Sequence, residues 1–101
     1  MKERIRVIRK LPGEPAKLTE ITNTLSSLQA QVGGYIESVT MSPNFAILCN
    51  EEGRLIGMEP NCELFGIDFV GPILIVGMDG EDFADVSNKT ISLFRKKLQW
   101  E

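Results

Sequence analysis

The segment Phe45-Ala46-Ile47-Leu48-Cys49 is almost wholly apolar and lies between two polar turns, Ser42-Pro43-Asn44 and Asn50-Glu51-Glu52-Gly53. A run this short, without alternation, reads as a central strand covered on both faces. A second nearly apolar run, Phe69 to Met78, reads as the last long strand, with Gly71-Pro72 marking a bulge or edge position near its start because proline cannot donate to a central ladder. At ten residues it falls well short of a membrane span. The remaining segments must supply the sheet around these runs and the layers that cover it.

Arg4 to Ile8 largely alternates charged and apolar residues, as a half-buried strand does. Leu11-Pro12-Gly13-Glu14-Pro15 breaks the chain, and Ala16 to Glu20 returns as a short second strand. Ile21, Leu25, Leu28 and Val32 recur at helical spacing, with Thr22 or Asn23 as the N-cap and Gly33-Gly34 as the stop. Tyr35 to Met41 reads as a strand. Gly53 is placed to take a positive φ, so that Arg54 to Gly57 completes a hairpin with the apolar strand. Glu59 to Asp68 reads as irregular, with one helical turn near Cys62 to Phe65. Ser87 caps a last helix built on Ile91, Phe94 and Leu98, and Arg95, Lys96 and Lys97 suit its C-terminal dipole. The expected fold class is α+β: a single domain over residues 1–101, with one mixed, mainly antiparallel sheet and two helices packed against it.

The chain has no histidine, which removes the commonest general base and the commonest zinc ligand. Cys49 and Cys62 are the only cysteines, too few for a four-ligand zinc site, and their acidic neighbours oppose a thiolate. They are expected to be reduced, idle thiols in a cytoplasmic protein, since nothing at the N-terminus resembles an export signal. No catalytic residue, cofactor or metal is expected.

Charge is unevenly distributed. Residues 1–49 hold six basic and four acidic side chains, residues 50–85 one and nine, and residues 86–101 four and one, so the net charges are +2, −8 and +3. The overall −3 argues against duplex DNA as a partner, although Lys2, Arg4, Arg6, Arg9 and Lys10 with Arg95, Lys96 and Lys97 offer a weak nucleic-acid alternative that lacks interleaved aromatics. Carboxylates at Glu51 and Glu52, or at Asp79 and Asp82, would serve a metal-dependent enzyme as another alternative. The leading expectation is a binding protein for a protein partner or a small ligand, with no membrane role. Its candidate surface comprises Glu37, Asn50, Glu51, Glu52 and Asn61. Glu37 shares a strand face with Tyr35, Val39 and Met41, and the sequence leaves open whether that face meets a pocket or solvent. Asn50 and Asn61 serve equally well as turn formers or as ligand amides. Trp100, close to the C-terminus, needs somewhere to pack: its own domain or a second copy in a homo-oligomer.

The set Val32-Gly33-Gly34-Tyr35-Ile36-Glu37, Cys49 to Leu55, Pro60-Asn61, and Gly77 with Asp79 to Phe83 resembles a domain of unknown function, the family numbered thirty-eight forty-six. The resemblance spans about Leu25 to Phe83 and departs at Gly71-Pro72, where the family tends to have Gly-Thr. It implies an accessory protein of phages, plasmids or conjugative elements, and it brings no catalytic residue with it.

Overall fold

The structure, a computed structural model, describes residues 3–100. Its main sheet has the order β2 (Lys17–Thr22), β1 (Arg4–Lys10), β7 (Ile73–Asp79), β4 (Phe45–Asn50), β3 (Ile36–Ser42), with β8 (Asp82–Ala84) paired to the end of β7. Every strand pair is antiparallel, and a single parallel bridge joins Ala16 to Trp100. Strand β4 is buried at all six positions, the five apolar residues Phe45 to Cys49, as their unbroken run requires, and then Asn50.

The alternation of β4 separates two cores. Phe45, Ile47 and Cys49 join Ile8, Ile75, Ile91 and Phe94 on one face, whereas Ala46 and Leu48 join Ile5, Val7, Ile21, Leu28, Leu74 and Val76 on the other. Helix α1 (Leu25–Val32) therefore covers one face and α2 (Asn88–Lys97) the opposite one. A separate hairpin, β5 (Pro60–Leu64) and β6 (Ile67–Val70), shares the α2 face through buried Leu64 and Phe69. Phe65 at its turn and Phe45 both lie edge-on to Phe94, with centroids 6.0 Å and 5.3 Å away.

Several expectations change. Ile21 belongs to β2, opposite Ile5, so the first helix begins later, and its N-cap is Thr24, whose hydroxyl accepts from the Ser27 amide at 3.2 Å. Gly33 ends that helix at φ 80, as expected. Arg54 to Gly57 forms turns rather than a strand, and the positive φ falls at Gly57, not Gly53. Gly53 sits instead in a tight space, where a Cβ would lie 3.0 Å from a Val70 methyl and press that side chain to shift. Residues 60–70, read as irregular, are the hairpin; its two-residue turn puts both Phe65 (φ 54) and Gly66 (φ 79) in the left-handed region, as a type I′ turn demands. The apolar run from Phe69 is not one strand, because Gly71-Pro72 separates β6 from β7. The capping of α2 by Ser87 and the cationic last turn stand. Trp100 closes over its own domain: its indole N–H donates to the Phe94 carbonyl at 3.0 Å, and the Arg95 guanidinium lies 4.6 Å from its ring centroid.

Candidate functional site

A cavity of about 140 Å³ lies over the β3–β4 pair, beneath β6 and beside the 51–55 loop. Its floor is apolar, made by Val39 and Cys49 on the sheet, and Ile67, Phe69 and Val70 of the hairpin roof it with further apolar groups. Its polar lining comes from Glu37, Asn50, Glu51, Asp68 and Arg54, three acidic residues against one basic. Glu37 reaches it because the β3–β4 register sets Glu37 opposite Cys49, and cross-strand partners point to the same face. The hairpin covers that face only in part, and Glu37 stays exposed at the rim of the cavity, lining it while open to solvent.

The Cys49 thiol lies 3.8 Å from both the main-chain carbonyl and the carboxylate Oε1 of Glu37. Burial, and then the charge of Glu37, push this thiol up to about 11. It is therefore protonated near neutrality, a weak donor to the carboxylate rather than a nucleophile. Burial likewise raises Cys62, with Lys10 opposing. Among the described residues, no cation stands within ion-pair distance of Glu37, whereas the exposed Glu20 pairs with Arg4 at 3.4 Å. Arg54 is occupied in part, since its guanidinium donates to the main-chain carbonyl of Asp68.

The other four candidates separate. Asn50, only 7% exposed, donates from Nδ2 to the Val32 carbonyl at 3.1 Å and accepts at Oδ1 from the Glu52 amide at 2.7 Å. It satisfies one of the orphan carbonyls at the C-terminal end of α1 and folds the following turn, so its amide is committed to architecture. Glu51 lines the cavity with Glu37, whereas Glu52 faces a neighbouring hollow with Tyr35 and Ile56. Asn61 sits elsewhere. It is the extra residue of a bulge between Pro60 and Cys62, which turns its side chain inward. There Nδ2 donates to the carbonyls of Lys10 and Gly71, both at 2.8 Å, and Oδ1 accepts from Lys10 Nζ at 3.0 Å. Lys10 is 8% exposed and donates also to the Leu11 carbonyl. Asn61 is thus the tie between the hairpin and β1, with its hydrogen-bonding groups turned into the protein.

The alternative sites receive the same test. Lys10 is buried in that tie, and Arg6 donates to the Val86 carbonyl and to Asn88, so the basic stretch of β1 is partly spent internally. Lys2 lies outside the described residues. Among the described residues, no three acidic or thiol side chains are grouped to hold a metal ion. No helix of the described residues is long and apolar enough to cross a membrane.

Sequence reasoning missed Arg54, Leu55 and the β6 residues that roof the cavity, because residues 60–70 lacked a visible strand pattern. The signal that would have found them is Gly66 between two short segments bearing Leu64, Ile67 and Phe69. The chain belongs to the family described as Domain of unknown function (DUF3846), which matches residues 5–99. No curated protein and no solved structure matches it.

Proposed function

We propose that the protein is a non-catalytic recognition module that binds a cationic group, carried on an apolar stem, in the cavity over β3 and β4. The observation that carries this reading is the carboxylate of Glu37, set above an apolar floor with Glu51 and Asp68 nearby and no ion-pair partner among the described residues. A cation placed there gains from the Glu37 carboxylate in a lining with more acidic than basic residues, and its stem gains from burial against Val39 and Phe69. A volume of about 140 Å³ suits the end of a lysine or arginine side chain better than a drug-sized ligand, whose sites start near roughly 300 Å³.

A binding role is further supported by the chemistry of the one thiol in the cavity, which is held protonated. In the mobile-element setting implied by the family resemblance, such a module would mask a basic surface of a host protein in the cytoplasm. The reading is tested by titrating the protein with N-acetyl-lysine methylamide and, as the uncharged control, N-acetyl-norleucine methylamide, while following backbone amide resonances. Millimolar binding of the lysine probe, with shifts concentrated at Glu37, Cys49 and Phe69 and weakened by Glu37→Gln, supports it. Equal shifts with both probes, or none at these residues, refute it.

A further inference from the structure

The sheet ends in two exposed strands that are not equally protected. Edge strand β2 presents Lys17 and Glu20, and Glu20 pairs with Arg4 across the sheet. Charges of both signs along an edge deter a further strand from pairing. Edge strand β3, Ile-Glu-Ser-Val-Thr-Met-Ser, has one charge, Glu37, and neither lysine, arginine nor proline.

The hydrogen-bond phase of β3 follows from one contact and the register. The Tyr35 carbonyl accepts from the Glu51 amide at 2.8 Å, in line with the Ile36 to Asn50 pairing. In an antiparallel ladder the bonded positions alternate, so Tyr35, Glu37 and Val39 turn their main-chain groups toward β4. Ile36, Ser38 and Thr40 turn theirs outward, away from any strand of the sheet. The bulge between Thr40 and Ser42 ends this edge, leaving five residues or about 17 Å of strand.

We propose that this edge takes up an extended basic segment of a partner protein as an added antiparallel strand, its main chain pairing with Ile36, Ser38 and Thr40 and a lysine or arginine beside Glu37. The proposal rests on the cation-binding reading of the cavity and extends it from a single group to a chain. Charge selects the occupant. The position opposite Glu37 on an added strand points to the same face, beside the Glu37 carboxylate, so a cation there is favoured and a carboxylate opposed. A second copy of this chain would bring its own Glu37 and its own acidic 50–85 region, net −8, against the same surface. On the same face Tyr35, 67% exposed, and half-buried Val39 flank the acidic position and give apolar neighbours to the residues on either side.

The test uses the full chain and the peptide acetyl-Thr-Lys-Val-Lys-Val-Lys-Thr-amide. Two further versions keep every side chain but are N-methylated on alternate residues, one on the lysines and one on the valines, so that each removes the donors of one edge of the strand. A fourth version has glutamate in place of lysine. Strand addition predicts that the lysine peptide binds, that one methylation phase loses affinity roughly tenfold while the other does not, and that the glutamate peptide fails. Ser38→Pro, which removes an outward N–H that the β3–β4 ladder does not use, should lower affinity about as much. Equal affinity for the parent and both methylated peptides overturns strand addition. Failure of all the peptides while the lysine methylamide still shifts Glu37 overturns it too, and leaves the cavity reading intact. If that small probe fails as well, both readings fall. Sedimentation of the free protein should give a monomer; a dimer dispersed by Ser38→Pro would make a second copy the occupant and overturn the proposal.

Discussion

Asn61 and Glu37 both carry polar side chains beside apolar strands, yet the fold uses them in opposite ways. Around Asn61 the hydrogen bonds close: its amide meets two carbonyls and the ammonium of Lys10, and Lys10 finds a further carbonyl at Leu11. Around Glu37 they stay open, with a thiol 3.8 Å from the carboxylate and no ion pair among the described residues. The difference shows how recognition and architecture are told apart on a surface of this kind. A polar group whose capacity is filled within the chain positions strands, whereas one above an apolar floor with capacity to spare is available to a partner.

The sharpest way to break this contrast is to remove the closed node. Asn61→Ala leaves the Lys10 and Gly71 carbonyls and one Lys10 donor without their partner and uncouples the hairpin from β1, and should cost about 3 kcal/mol in urea unfolding. A loss below about 1 kcal/mol would show that the tie is dispensable and that Asn61 is free to serve a ligand.

The next effect comes from the floor of the open region. The folded protein pushes the Cys49 thiol from 9.0 up to about 11, so the folded chain keeps a proton that the unfolded chain releases. This contribution is fully present below about pH 9 and is lost as pH rises through about 11, reaching about 2 to 3 kcal/mol. Cys49→Ala should flatten that part of the stability profile. An unchanged alkaline slope in the variant would place the thiol in a more hydrated setting than the cavity floor.

The smallest stability effect belongs to Glu37 itself. Glu37→Gln breaks no ion pair among the described residues and should shift stability by less than about 0.5 kcal/mol. It should also quicken alkylation of Cys49 by iodoacetamide at mildly alkaline pH, because it removes the second largest cause of the raised thiol. The gain should be modest, since burial, the largest cause, remains. A melting temperature lowered by several degrees would mean that Glu37 is structural after all.

The legibility of these features in the sequence follows the range over which each is determined. The apolar run of β4, the glycine stop at Gly33 and the Ser87 cap are local and were readable. Ile21 misled because it lies at helical spacing from Leu25, while its burial is settled by Ile5 across the β1–β2 ladder. The β5–β6 hairpin was hidden by a phenylalanine at positive φ, a conformation in which aromatic residues are uncommon, held here beside Phe94 and under the Lys97 ammonium. Three of the five residues singled out for a site, Glu37, Asn50 and Glu51, do line one cavity, but its roof is supplied by residues 67–70, which no local pattern tied to β3. Asn61 could not be sorted from sequence, since its role depends on a bulge and on Lys10, fifty-one residues away.

The most direct test of the contrast is a paired measurement on Glu37→Gln and Asn61→Ala, reading thermal stability and affinity for N-acetyl-lysine methylamide on the same samples. The account predicts that Glu37→Gln weakens the probe severalfold at an unchanged melting temperature, and that Asn61→Ala lowers the melting temperature by several degrees while the folded fraction binds as the parent does. A Glu37→Gln protein that binds the probe as tightly as the parent would contradict it.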